Sequence, residues 1–278
     1  MSVRPGGSGA NTAAWAAWAA GASPSVGVPR KVVFAGRVGA DDAVWHQDAF
    51  AAVGVDARLA IDPVTPTTRL VALIDGATGD KTMLTDRGAG RLLSVADVTD
   101  ALTGAAWLHL SGYLLFAPDS LAVFEHLVAR CRADGRPWSV DPASAGYLRD
   151  FGVDEARRFL AGASIGFPNE EEARLLAGAG PEEPIDRVAM ELLDLWSEVV
   201  VTCGAGGAIV AREGAIVART QASPPRAVVD AVGAGDAFAG GFLIAHLDAH
   251  RPAQCLELGT AAANSALAIV GGRPPRRR

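Results

Sequence analysis

Lysine is almost missing from this chain: Lys31 and Lys81 are the only two in 278 residues. Neither stands in a glycine-rich loop, which excludes the phosphate-cradling G-x-x-x-x-G-K-[ST] motif. Cysteine is scarce too. Cys131, Cys203 and Cys255 are odd in number, far apart and without metal-ligand spacing, which excludes a disulfide framework and fits a reducing, cytoplasmic setting. No run reaches the roughly 18 apolar residues of a membrane-spanning helix. The Ala/Trp-rich N-terminus is a poor export signal, because Arg4 stands alone before it and Gly6-Gly7-Ser8-Gly9 interrupts it. Positive charge is also in deficit: a formal net charge of −6 argues against a nucleic-acid surface, which needs clustered Lys and Arg. The one basic cluster, Arg276-Arg277-Arg278, is expected to be a solvated tail.

What the chain has is apolar material. Half of its residues are hydrophobic and 20% are charged, ample for a large core and unlike the composition of disorder. Neither an internal repeat nor an interdomain linker is evident, so a single domain over 1–278 is expected. Residues 6–20 form a Gly-rich turn running into a helix that Asn11 or Thr12 could cap. KVVFAGRVG (31–39) reads as a buried strand, followed by a helix over 42–53. From about 55 to 88 the runs ARLAI, RLVALID and KTMLTD suggest a small antiparallel sheet, with GATGD as its hairpin turn. Beyond residue 98, strand-like and helix-like segments alternate with short loops. EVVVTCG (198–204) is one such strand, a hairpin follows it, and a last helix covers 253–270. That alternation predicts a mainly parallel α/β sheet covered on both faces.

Three chemistries fail on inspection. The Rossmann G-x-G-x-x-G ends in Phe238 in GAGDAF and in Ile209 in GAGGAI, so a nicotinamide dehydrogenase is excluded. Gly162-Ala163-Ser164-Ile165-Gly166 matches G-x-S-x-G on paper, yet a helix precedes Ser164 where a nucleophile elbow requires a strand. His246 and His250 are four apart, but lack a neighbouring Glu base and a third ligand, and fit the C-terminal turn of a helix.

VVDAVGAGDAFAGGF survives. Gly233-Ala234-Gly235 can aim successive backbone N–H groups into one space ahead of a helix, which makes an anion site. A carboxylate beside such a site, Asp236, repels a merely bound phosphate. It makes sense as the base that deprotonates a hydroxyl attacking phosphorus. A plain acidic residue in a helix first turn is the alternative.

DAVGAGDAFAGGF resembles the C-terminal signature of the ribokinase, or PfkB, family of carbohydrate and nucleoside kinases. GGSGAN (6–11), Asn169-Glu170-Glu171-Glu172 as N-x-x-E, and Thr202-Cys203-Gly204-Ala205-Gly206-Gly207 as T-x-G-x-x-G resemble three further blocks in the same order. The resemblance spans essentially the whole chain. It implies a ribokinase-like α/β fold, with a mainly parallel sheet, helices on both faces and a small antiparallel β lid within about 55–88. It implies ATP and Mg²⁺, with Asp236 as base and Gly233, Ala234 and Gly235 as anion hole. Asn169 and Glu172 would organise Mg²⁺ and its waters. Thr202, Gly204, Gly207 and Asn264 would border the nucleotide, and Gly6, Gly7 and Asn11 would contact substrate hydroxyls. Asp230 and the carbonyl of Val232 would hold a monovalent cation such as K⁺. Asn169 as a plain helix cap, with Glu172 in its first turn, is the bland counterpart.

Two departures shape the expectation. The family carries a core strand with a sugar-binding Asp, and the first lid strands, ahead of GGxxxN. Here GGSGAN begins at residue 6, so either the start of the chain is truncated or misassigned or the strand has been lost, and the sugar end is expected to be incomplete. Ala231 also stands where the family has Thr. LHLSGY leans to a sugar or sugar acid as substrate, with a nucleoside as the alternative class. A non-catalytic sugar- or nucleotide-binding relative is the alternative function. A homodimer through the lid is the expected assembly, if one forms.

Overall fold

A computed structural model describes residues 3–22, 30–74, 81–221 and 228–276. The expected GATGD turn and the end of the arginine tail lie outside the described residues. The chain opens with α1 (Ser8–Ala22), β1 (Val32–Gly39), α2 (Ala43–Ala51) and β2 (Val55–Asp62), then β3 (Arg69–Ile74) and β4 (Lys81–Asp86). It continues through α3 (Val95–Val98), β5 (Leu108–Ser111), α4 (Pro118–Ala133), β6 (Trp138–Asp141), α5 (Ala145–Phe151) and α6 (Val153–Leu160). β7 (Ile165–Gly166), α7 (Glu170–Ala177), α8 (Ile185–Glu191), β8 (Glu198–Thr202), β9 (Ala208–Arg212) and β10 (Ala215–Thr220) follow, before α9 (Ala234–Leu247) and α10 (Pro252–Leu267).

The main sheet has the order β10-β9-β8-β7-β6-β5. β5 to β8 run parallel, and β9 and β10 return antiparallel as the expected hairpin. Side-chain alternation sorts its two faces. Val199, Val201, Ile209 and Ala211 join one core with Phe124, Leu148, Leu160, Leu176 and Leu192 of α4 to α8 and the turn after α8. Val200, Ala208 and Val210 face the other way, onto Phe238 and Phe242 of α9 and Leu256 of α10. Gly166 in β7 accepts the indole of Trp196, since a Cβ there would sit 2.0 Å from its ring.

Several details differ from expectation. β2 does not belong to the antiparallel lid: it pairs in parallel with β1, in register Val32 to Val55. Its VDARLAID run alternates in burial as a strand with one covered face does, and an α-helix, α2, bridges the pair. Only β3 and β4 form the antiparallel ribbon, with Val71 opposite Leu84. α1 starts at Ser8, so Asn11 and Thr12 lie inside it rather than at its cap. An unexpected short helix, α5, precedes α6.

Among the described residues, β1 pairs only with β2 and β5 only with β6, so the sheet is interrupted between β1 and β5. α1 lies across the interruption: a Cβ on its Gly9 would be 3.8 Å from both Phe34 of β1 and Ser111 of β5. α1 also packs along α9. A Cβ on Gly240 would meet the α1 backbone at 2.7 Å from Ala16 N and 2.8 Å from Thr12 O, and one on Gly241 would meet Leu258 O of α10 at 2.7 Å. The three helices therefore touch backbone to backbone. Gly240→Ala is expected to cost roughly 1–3 kcal/mol by overpacking, measured by chemical denaturation, even though alanine is the better helix former.

Candidate active site

The carboxyl ends of parallel strands gather the site, as is general for α/β sheets. Ser111, Asp141, Asn169 and Thr202 stand at or just after the ends of β5, β6, β7 and β8. Asn169 and Thr202 are joined by a parallel bridge. On the other side stand the first turns of α1 and α9, both with their N-termini towards the same space.

The α9 terminus is shaped by glycine. Gly233 is its N-cap at φ 80°, a left-handed conformation that favours glycine, and a Cβ there would meet Gly272 Cα at 2.7 Å. A Cβ on Gly235 would meet nothing within 4 Å. Gly233-Ala234-Gly235 thus presents an open helix N-terminus, with Asp236 in its first turn. Ser8 Oγ donates to Asp236 Oδ1 at 2.8 Å, and Asn11 Nδ2 donates to Oδ2 at 2.8 Å. Ser111 Oγ donates to Ser8 Oγ at 3.4 Å. Asn11 is buried, and its amide is spent on Asp236 rather than pointing to solvent. Gly6 and Gly7 form the exposed turn ahead of α1, where Gly7 adopts φ 95° and accepts from Asn11 N.

Asn169 and Glu172 form a reciprocal capping box: Asn169 Oδ1 accepts from Glu172 N at 2.9 Å, and Glu172 Oε2 accepts from Asn169 N at 3.0 Å. The bland reading of this pair is therefore present, and it fixes the Glu172 carboxylate at the site. Thr202 opens the exposed Gly204–Gly206 turn, and Gly207 closes it at φ 90° with its carbonyl accepting from Cys203 N. Asp230 Oδ1 accepts from Val232 N at 3.0 Å and Oδ2 from Gly271 N at 3.1 Å. Asn264 lies partly covered on α10. His246 lies in the last turn of α9, 4.0 Å from Glu198, while His250 falls beyond the helix. No three His, Cys, Asp or Glu side chains converge as a metal cage among the described residues. Ser164 precedes the two-residue β7 and has no nucleophile elbow.

Two groups escaped the sequence. Asp141 ends β6, and its Oδ1 accepts from Ala143 N at 2.7 Å, with Ala143 held at φ 81°. A non-glycine residue there is strained, and such strain tends to collect at functional sites. Its signal was available, as an acidic residue at the carboxyl end of a parallel strand. Tyr113 follows Gly112, whose Cβ would collide with Pro142 O at 2.5 Å, so the ends of β5 and β6 are pressed together.

The electrostatics are those of crowded carboxylates. Burial raises the Asp141 carboxyl well above its usual range, and the charges of Glu172 and Asp236 add to it. Burial raises Glu172 to about 7, against the opposing bonds from Asn169. Asp236 is raised by burial and held back by Asn11 and Ser8. Partial burial, then Asp141 and Asp236, push the Tyr113 phenol to about 12. Hard oxygen donors gathered in this way suit Mg²⁺, which takes one or two carboxylates and completes its shell with phosphate oxygens and water.

A family model described as pfkB family carbohydrate kinase matches residues 1–276. The chain belongs to the PfkB carbohydrate kinase family. An adenosine kinase from Dictyostelium discoideum is 28% identical over 247 residues, covering 82% of this chain and 70% of that protein. The crystal structure of adenosine kinase from Sinorhizobium meliloti superposes with a TM-score of 0.85 at 26% identity, over 97% of this chain and 79% of that one. A structure from E. coli described as a ribokinase II in complex with ATP and Mg²⁺ shares the fold, at a TM-score of 0.84 and 23% identity, over 100% of this chain and 87% of that one. This PfkB chain thus has the ribokinase-like fold and is a phosphotransferase. No helix among its described residues is long and apolar enough to cross a membrane.

A base must be deprotonated to act, and a raised carboxyl pKa moves loss of the charged form to higher pH. With Glu172 raised to about 7 and Asp236 raised as well, kcat/KM is expected to fall as pH drops through neutrality, not only near the pKa of an exposed carboxylate. Ser8→Ala removes a bond that favours the charged form of Asp236 and should shift that acid limb upward by about 1 pH unit. A limb unmoved by Ser8→Ala would detach it from Asp236.

Proposed function

We propose that this chain transfers the γ-phosphoryl group of ATP to a hydroxyl of a nucleoside, with Asp236 as general base. The arrangement of Asp236 carries the reading: its two oxygens are held by Ser8 and Asn11 of α1, in the first turn of an α9 whose N-terminus opens at Gly235. The acceptor hydroxyl loses its proton to Asp236 as it attacks phosphorus. Ser8 and Asn11 orient the carboxylate and keep it charged. The N–H groups of Gly233, Ala234 and Gly235 take up charge developing on the transferred group. Asn169, Thr202, Gly204 and Gly207 border the nucleotide, with Asn264 on α10 at its base. Mg²⁺, when bound, neutralises charge on the triphosphate; Glu172, through water, and Asp141 are the carboxylates that would hold it. Asp230, whose Oδ1 and Oδ2 accept from Val232 N and Gly271 N, would hold a monovalent cation such as K⁺ together with the Val232 carbonyl.

The nucleoside is favoured over the sugar that LHLSGY suggested because the Dictyostelium relative, matched over 82% of this chain and 70% of its own length, is an adenosine kinase. A small sugar or sugar acid is the second reading, in keeping with the LHLSGY segment, whose Ser111 donates to Ser8 beside Asp236. Gly6 and Gly7 would face that acceptor. We take the whole chain as one kinase domain, with the β3–β4 ribbon as its lid and the cytoplasm as its setting. The ribbon leaves Leu70, Val71, Leu73, Met83 and Leu84 exposed, which supports a homodimer across the lid, since an isolated two-stranded ribbon is marginal in water.

Given ATP and Mg²⁺, the purified protein should phosphorylate one member of a panel of nucleosides, sugars and sugar acids. Asp236→Asn should lower kcat by about 10²–10⁴-fold while ATP affinity, measured by calorimetry, stays close to wild type. Turnover retained in Asp236→Asn would remove it as the base. Thermal stabilisation by ATP without turnover on any acceptor would support a non-catalytic relative instead. Leu73→Lys with Leu84→Lys should convert a dimer to a monomer in sedimentation.

A further inference from the structure

Arg273 is the most anomalous charge in the molecule. It is 8% exposed, and its Nε and Nη1 are buried without an acceptor among the described residues. Burial alone pulls its guanidinium down to about 10, with no carboxylate acting on it. Burying a cation without a counter-ion is costly, and an apolar side chain of similar volume would fill the same space without that cost. The residue therefore needs a reason beyond packing.

Its contacts supply one. Arg273 Nη2 donates to the carbonyl of Gly6 at 3.1 Å. The guanidinium lies 4.0 Å from the centre of the Phe50 ring, and Phe50 is itself stacked on Phe34 of β1 at 4.8 Å. A flat cation on an aromatic face is held in one plane, so its donor is aimed. The target is the turn immediately ahead of Ser8 and Asn11. The neighbouring residues of the same strand of chain bind the rest of the site. Gly272 O accepts from Trp15 Nε1 of α1 at 2.9 Å, and Gly271 N donates to Asp230. A Cβ on Gly272 would meet Asn11 Nδ2 at 2.4 Å, and one on Gly233 would meet Gly272 Cα at 2.7 Å. Residues 271–273 thus form a strap touching the acceptor turn, α1, the Asp230 loop and the anion turn of α9.

We propose that Arg273 is a positioning residue for the acceptor: it fastens the Gly6–Gly7 turn and, through it, sets Ser8 and Asn11 against Asp236. This rests on the reading of Asp236 as the base. Arg273 touches no reacting atom. Its effect falls on the acceptor side, because the strap meets α1 and α9 but none of β7, β8 or the Gly204–Gly206 turn in its described bonds.

The test uses Arg273→Met and Arg273→Lys in the full chain, with the acceptor that wild type turns over. Arg273→Met should raise the acceptor KM at least about tenfold while the KM for ATP changes less than about twofold. Arg273→Lys, which keeps one donor but not the planar stack, should recover part of that loss. Amide hydrogen exchange of residues 6–11 should quicken at least about tenfold in Arg273→Met, with residues 169–202 unchanged. Equal rises in both KM values, or unchanged exchange at 6–11, would overturn the proposal. Faster exchange across the whole chain would reduce Arg273 to a general stabiliser and overturn it as well. Should wild type turn over no acceptor, the kinase reading fails by itself, and the exchange pattern still decides whether Arg273 fastens the turn.

Discussion

The site depends on how closely α9 lets two other helices approach. Gly240 takes the α1 backbone and Gly241 takes that of α10, each at a distance that leaves no room for a methyl group. One turn earlier on the same rigid rod stands Asp236, and one turn earlier on α1 stand Ser8 and Asn11. The contact at Gly240 therefore sets the hydrogen bonds at Asp236. α1 and α9 run side by side in the same direction, which brings two helix N-termini together. Their dipoles repel when nothing negative lies between them. Asp236 supplies one negative charge there, and the phosphoryl group of the proposed reaction would supply another.

The same geometry explains the crowding of acid. Asp141, Glu172 and Asp236 all have raised pKa values, with burial as the leading cause in each. Three partly desolvated carboxylates around one space oppose their own ionisation. The two helix termini offset part of that cost, and Ser8 and Asn11 single out Asp236 as the one whose charged form is hydrogen-bonded on both oxygens. Glu172 is restrained differently, with its Oε2 tied to Asn169. Environment, not residue type, divides the labour among chemically similar groups.

Local patterns were legible wherever the physics is local. GAGD before an apolar helix, N-E-E-E as a cap with an acidic third position, and the strand-helix alternation after residue 98 all have short-range causes, and the structure has them where the sequence put them. VDARLAID was mistaken for lid because period-two alternation does not say whether the partner strand is parallel. The partnership of Asn11 with Asp236 spans 225 residues, and no spacing rule reaches that far. Arg273 drew no reading from the sequence, because the feature that makes it unusual, burial between Gly6 and Phe50, exists only after the two ends of the chain meet.

The interruption of the sheet between β1 and β5 divides the site into halves with different support. The side proposed to hold the nucleotide rests on β7 and β8, inside a continuous ladder whose strands are buried on both faces. On the proposed acceptor side, no strand among the described residues joins β1 to β5. Ser8 and Asn11 are held by helix packing on α9, by contacts of α1 with Phe34 and Ser111 across the interruption, and by the strap at 271–273. A ladder distributes load over many hydrogen bonds, whereas a strap concentrates it on a few. Small changes in residues 6–11 or 271–273 therefore act on acceptor geometry with little to absorb them, while comparable changes near Thr202 are shared among neighbouring strands. The buried guanidinium of Arg273 fits that division: a costly, directional fastener is tolerated where the sheet supplies none.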